Sequence, residues 1–193
     1  MLMRRKTVTH ICAALFTAAI LALAAGCTDE QKNAQPETAA QTEQPKNTGT
    51  SAAAASKELK VNVYYPRNDG TGLLAVSRTV NIEKDDKYTA AMKSLLTGTK
   101  EKGQTNVIPK KAKLRSVTVK DGIATVDFSK ELQVNFSGGS TGEEMLIGSI
   151  VNTLTDFPEV MQVQILIDGA SVETLSGHMD LSEPLPRMTE LLK

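Results

Sequence analysis

Leu59, Val61, Val63 and Tyr65 alternate with Lys60, Asn62 and Tyr64, which is the period of a strand with one buried face. Pro66 ends the run, and Arg67-Asn68-Asp69-Gly70-Thr71-Gly72 reads as a turn segment. Leu74, Val76, Val80 and Ile82 then mark a second strand, with Arg78 breaking the alternation. Asp85 and Asp86 suit a helix N-terminus, since a carboxylate there accepts free amides and favours the positive end of the dipole. Tyr88, Ala91, Met92, Leu95 and Leu96 follow at helical spacing, and Gly98 is placed to end the helix. After a loop over residues 99–113, residues 115–119 and 123–128 flank Asp121-Gly122, the signature of a two-residue type I′ hairpin. The register can be read directly: if Lys120 pairs with Ile123, then Val119 faces Ala124 and Val117 faces Val126 on one side.

Ser129 is a candidate cap for a short turn burying Leu132 and Phe136. Thr141 with Glu144, or Ser140 with Glu143, fits a capping box opening a longer helix. Its expected buried stripe is Ile147, Ile150, Val151 and Leu154, and Pro158 stops it. Gly148 in mid-helix costs up to about 1 kcal/mol against alanine, so close packing is expected there. Residues 160–167 form a nearly continuous apolar run, the pattern of a central strand. Asp168-Gly169 offers a second tight turn into a short strand around Val172. These elements predict an α+β domain, a mixed or antiparallel sheet with two helices packed on one face.

Ahead of residue 59 the character of the chain changes. Arg4, Arg5 and Lys6 precede an apolar stretch over residues 11–25, closed by Ala24-Ala25-Gly26-Cys27. A basic start, a short apolar run and a small-residue exit describe a secretory signal peptide, here residues 1–26. The run is shorter than the roughly 20 residues of a spanning helix. A cysteine directly after Ala-Gly resembles the bacterial lipobox, which implies a diacylglycerol anchor on Cys27 and a place on the outer face of the cell membrane. Residues 28–58 contain no Val, Ile, Leu, Met, Phe, Tyr or Trp. Such a segment buries too little apolar surface to offset its ordering entropy. Residues 27–58 are therefore expected as a lipidated cysteine and tether, with ends on the order of 30 Å apart as a coil. Residues 59–187 are expected as the folded domain and 188–193 as a tail.

All 22 acidic residues lie beyond residue 26, whereas three of the 22 Lys and Arg lie before it. The processed chain would thus carry 19 basic against 22 acidic groups, a net charge of −3. A mildly acidic chain has no electrostatic footprint for nucleic acid. Both cysteines, Cys12 and Cys27, lie at or before residue 27, so the domain has no disulfide framework and no thiolate metal site.

Several stretches together resemble the GerMN domain of sporulation and spore germination. They are Tyr64-Tyr65-Pro66, Val119-Lys120-Asp121-Gly122-Ile123-Ala124-Thr125-Val126-Asp127, Asn152-Thr153-Leu154-Thr155 with Phe157-Pro158 and Val163, and Asp180-Leu181-Ser182-Glu183-Pro184-Leu185. The resemblance implies an extracytoplasmic, usually membrane-anchored domain of Gram-positive bacteria. It also implies a fold similar to ring-building modules of secretion-type channels. One copy is visible here, where the founding germination protein has two. The family pattern supplies turns, caps and core positions, and no catalytic residue carries over.

The side-chain chemistry points the same way. A Ser-His-Asp arrangement needs a proton-shuttling histidine, and the only one beyond the leader is His178, beside no nucleophile elbow. One histidine and no cysteine do not make a zinc site. Gly138-Gly139-Ser140-Thr141-Gly142 before a helix could cradle an anion, but lacks the lysine of a phosphate loop and is followed by Glu143 and Glu144. Asp85-Asp86 and Glu143-Glu144 sit where helix-end acids are expected rather than as a glycosidase pair. The expectation is a non-enzymatic lipoprotein without cofactor. Its partners would be envelope or sporulation proteins, or further copies of itself. The alternative is a sensor binding a small ligand or a peptidoglycan fragment.

Overall fold

The structure, a computed structural model, describes residues 57–193. The expected leader, Cys27 and nearly all of the tether lie outside the described residues. Strand β1 (Glu58–Pro66) pairs antiparallel with β2 (Leu73–Asn81) through the expected turn, Leu59 opposite Val80 and Tyr65 opposite Leu74. Glu58, expected as the last residue of the tether, is thus the first of β1. Helix α1 (Lys87–Leu96) begins at Asp86, whose carboxylate accepts the Tyr88 and Thr89 amides at 2.9 and 3.0 Å. It ends at Thr97, with Gly98 at φ +77° just beyond.

The hairpin β3 (Leu114–Lys120) and β4 (Ile123–Phe128) has the register read from the sequence, Val117 opposite Val126 and Val119 opposite Ala124. Asp121 and Gly122 both have positive φ, 51° and 81°, as a type I′ turn requires. A one-turn helix α2 (Glu131–Val134) buries Leu132 completely. The Ser129 side chain does not cap it. That hydroxyl accepts the Lys113 amide, and the Ser129 carbonyl takes the Leu132 amide.

Helix α3 (Ser140–Leu154) carries the chain across to β5 (Gln162–Ile167), which lies parallel to β4. β5 also pairs antiparallel with β6 (Ala170–Ser171) and β7 (Leu185–Pro186), so it is central as expected. Asp168 and Gly169, φ 47° and 82°, make the second tight turn, and Val172 falls just past β6.

Two features differ from the expected arrangement. The sheet is not single: β1 and β2 form a separate two-stranded sheet, and β3 to β7 form a mixed five-stranded one. The reason lies in α3, which buries every residue from Met145 to Leu154 rather than a stripe. A helix buried on all sides needs cover on all sides, and α3 touches β5 of one sheet and both strands of the other. The second difference is the C-terminus. Residues 188–193, expected as a tail, form a 3-10 turn (Thr189–Leu192) with Met188 and Leu191 in the core. Gly148 explains the fit: a Cβ there would lie 2.4 Å from Leu191 Cδ1 and 3.2 Å from Leu73 Cδ1.

Candidate functional site

The densest polar cluster ties the C-terminal segment to α3 and β1. Asn152, fully buried, pairs with the Met188 backbone in both directions, accepting its N–H at 3.0 Å and donating to its C=O at 3.1 Å. The neighbouring Thr153 hydroxyl accepts the Tyr64 amide at 3.1 Å. Tyr64 donates its hydroxyl to Asp156 at 2.6 Å and receives Arg187 Nη2 at 2.7 Å. Asp156 also accepts from Arg187 and from the Asn62 amide group. The Arg187 guanidinium lies 5.3 Å over the Tyr64 ring, within cation–π range. Burial, then the Asp156 carboxylate, pushes the Tyr64 phenol above its ordinary pKa. The cluster fastens three elements far apart in sequence, and every group in it already has a partner.

A cleft of about 350 Å³ opens beside this cluster, between β1 at Leu59, Lys60, Val61 and Asn62 and the α3–β5 connection at Asp156 to Glu159. Phe157 is held there by edge-on packing against Tyr88, ring centres 5.0 Å apart at 74°. Glu159 accepts the Tyr88 hydroxyl at 2.6 Å and pairs with Lys87. The Lys87 ammonium, then the Tyr88 hydroxyl, holds the Glu159 carboxyl down at about 2.

A second cluster surrounds Glu143. It stands in the first turn of α3, as a capping box requires, but caps nothing there: the helix begins at Gly139 with no side-chain cap. Instead the carboxylate is completely buried and receives four donors from the loop after β6. These are the Leu175 and Ser176 amides at 2.9 and 3.0 Å, the Ser176 hydroxyl at 2.6 Å and the His178 amide at 3.1 Å. Burial alone would raise its pKa, but the Ser176 hydroxyl and the three amides outweigh burial and hold it below the usual value. The His178 side chain is exposed and the Gly138–Ser140 stretch lies at the surface.

Three further acids are committed in the same way, whereas Glu144 caps no helix. Asp86 caps α1, and Asp85 pairs with Lys93 at 2.6 Å. Asp127 accepts Arg115 Nε and the Gly169 amide, both at 2.8 Å. Arg78, the break in the second strand pattern, gives Nη2 to the Gly98 carbonyl at 3.0 Å, beside the Tyr65 hydroxyl, which donates to the same carbonyl at 3.0 Å. A cation at a helix C-terminus is stabilised by the dipole, so Arg78 closes α1. Among the described residues no group of three or more His, Cys, Asp or Glu is placed to hold a metal ion, and no helix is long and apolar enough to cross a membrane. Cys27 lies outside the described residues.

Saturated polar clusters fastening two sheets around a buried helix define a small α+β module, and the comparisons say which. Residues 62–173 match the Germane family, described as sporulation and spore germination. The chain belongs to that GerMN-domain family. It is 27% identical over 149 residues to the spore germination protein GerM of Bacillus subtilis (strain 168), a match covering 74% of this chain and 40% of that protein. The solved structure of the tandem GerMN domains of the sporulation protein GerM from Bacillus subtilis gives a TM-score of 0.55 at 25% identity, over 71% of this chain and 48% of that one. The first GerMN domain of that protein gives 0.51 at 24% identity, over 67% and 98%, a likeness of fold alone. The chain thus spans less than half the length of the GerM protein it matches. The resembling motif residues acquire physical roles from the geometry: Asn152 and Thr153 grip backbone, and Asp121-Gly122 makes a turn.

Proposed function

We infer that this chain is a lipid-anchored extracytoplasmic protein of sporulation, germination or envelope assembly whose GerMN domain is a non-catalytic interaction module. The observation that carries the reading is the saturation of its polar groups. Glu143 has four donors, Asp156 accepts from three side chains, and Asp127 is shared between Arg115 and the Gly169 amide. Reacting groups must be left available to substrate, whereas these are spent on joining elements. What such a module offers a partner is its free strand edges and adjacent helix surface. Self-association, the contact that ring-building modules make, is one form such an interaction would take. Anchoring to one membrane raises effective concentration, so that contacts of millimolar strength suffice there.

The test is sedimentation of the full chain in detergent, followed by crosslinking on intact cells. Self-association or a reproducible protein neighbour is expected. Turnover of a small molecule, or tight binding of a peptidoglycan fragment without any specific protein contact, would overturn the reading.

A further inference from the structure

The edge of β1 that faces away from β2 has no strand paired to it among the described residues. In an antiparallel pair, alternate residues send both backbone groups to the partner strand and the others send them outward. The Ile82 amide reaches back to the Lys57 carbonyl, and the Tyr64 amide leaves the pair to reach Thr153. Odd-numbered residues of β1 therefore bond to β2, and Lys60 and Asn62 point their N–H and C=O outward with Tyr64. At Tyr64 that edge is closed by α3. At Lys60 and Asn62 it has no strand partner among the described residues, and it opens into the cleft of about 350 Å³.

Resting on the reading of the domain as an interaction module, we propose that this cleft takes a short extended peptide segment with a carboxylate at one end, added as a strand to β1. Three features select that occupant. The free stretch matches about three residues at roughly 3.3 Å each, and the volume lies at the lower end of small-ligand sites. A space of this size admits one strand rather than the edge of a second folded copy. The lining contributed by the α3–β5 connection includes Phe157 and Pro158, apolar surface for a peptide side chain, with Phe157 packed edge-on against Tyr88. The charges around the cleft cancel except for one. Lys87 is taken by Glu159 and Asp156 by Arg187, while Lys60 is exposed and has no ion pair among the described residues. The segment's carboxylate belongs beside Lys60. Backbone bonds give such a contact its affinity and the alternate side chains its selectivity.

The experiment uses the full chain in detergent with a labelled pentapeptide of alternating threonine and valine ending in aspartate with a free carboxylate. The same peptide methylated on the alternate amides that would face β1 is the control. Binding is expected to shift the amide resonances of Lys60, Asn62 and Phe157, and methylation to abolish it. Lys60→Pro removes an outward N–H without costing a bond to β2 and is expected to weaken binding at least about tenfold. Lys60→Glu keeps the backbone edge and is expected to weaken it several-fold, with the difference from wild type shrinking at high salt. No binding at millimolar peptide, equal binding of the methylated peptide, or binding indifferent to both substitutions would overturn the site. Binding of a peptidoglycan disaccharide in the cleft with none of the peptide would also overturn it. Protein crosslinks in cells that persist in Lys60→Glu reject this cleft but leave the interaction module standing; the absence of any such contact rejects the module itself.

Discussion

Glu143 is the side chain whose environment departs furthest from what its place in the chain suggests. A first-turn glutamate is ordinarily solvated, and a capping box would bond it to its own helix. Here it is buried and holds the loop at 175–178 through four bonds. Glu143→Ala leaves several buried donors unmatched and is expected to cost about 2–4 kcal/mol in denaturant unfolding, with faster hydrogen exchange at Leu175 and Ser176. Because its folded pKa is depressed, its contribution is complete above the unfolded value of about 4.3 and is lost as pH falls through the lower folded value. Stability of the wild type should therefore drop below about pH 4, and Glu143→Gln should flatten that part of the curve. An unchanged acid limb in the glutamine variant would refute the role. Gly148 is the second revealing position. Glycine to alanine in a helix interior ordinarily gains up to about 1 kcal/mol, yet here the new Cβ meets Leu191 at 2.4 Å. Gly148→Ala is expected to destabilise by about 1–3 kcal/mol, and a rise in melting temperature would show the contact to be slack.

What could be read ahead of the structure follows from how local the determining physics is. The β3–β4 register is legible because one turn, Asp121-Gly122, and two alternating runs, Val117 and Val119 against Ala124 and Val126, agree on it. Asp86 was legible as a cap because its partners are the next two or three amides. Arg78 was visible only as an irregularity, since its partner carbonyl at Gly98 belongs to the end of another element. The Tyr64–Asp156–Arg187 cluster left no mark at all, its members being joined only after both sheets close over α3. The same holds for the second sheet. Four of the last ten residues of α3 are Gly148, Ser149, Asn152 and Thr153, which reads as a polar face until Asn152 and Thr153 are seen bonded to backbone from other elements. Residues 188–193 are too short to show a period, yet Met188 and Leu191 complete the core. Deleting residues 188–193 exposes Leu73 and Gly148 and removes Met188 and Leu191. Each buried side chain of that size is worth about 1.5–3 kcal/mol, so the deletion is expected to cost several kcal/mol, read as a shift in denaturation midpoint. An unmoved midpoint would mean the turn is an ornament on a finished core.

The folded part, residues 57–193, carries its own apolar core from both sheets, α1, α3 and the C-terminal turn. It has no cysteine and no metal-holding group among the described residues, so burial and the polar clusters supply its stability. That fragment is expected to unfold reversibly in one transition, unchanged by chelator or reductant; a melting temperature that falls sharply with chelator would contradict it. Under the proposed function the domain works where it is held, which makes Cys27 the residue with the largest expected effect on the whole molecule. A thiol at the exit of an apolar run, after Ala25-Gly26, is where acylation before cleavage is expected. Beyond residue 26 the sequence carries 19 Lys and Arg against 22 Asp and Glu, so its net charge supplies no attraction to an anionic membrane. Two acyl chains make attachment stable where one gives only marginal binding. Cys27→Ala is therefore expected to abolish incorporation of labelled fatty acid and to move the protein from the membrane fraction to the soluble one. Loss of acyl label with full membrane retention in high salt would show that something other than lipid holds it. Retention of the label would place the modification elsewhere in the chain. With the anchor gone the domain itself should fold unchanged, so a loss of partner crosslinks in this variant would report the loss of effective concentration at the membrane rather than damage to the contact surface.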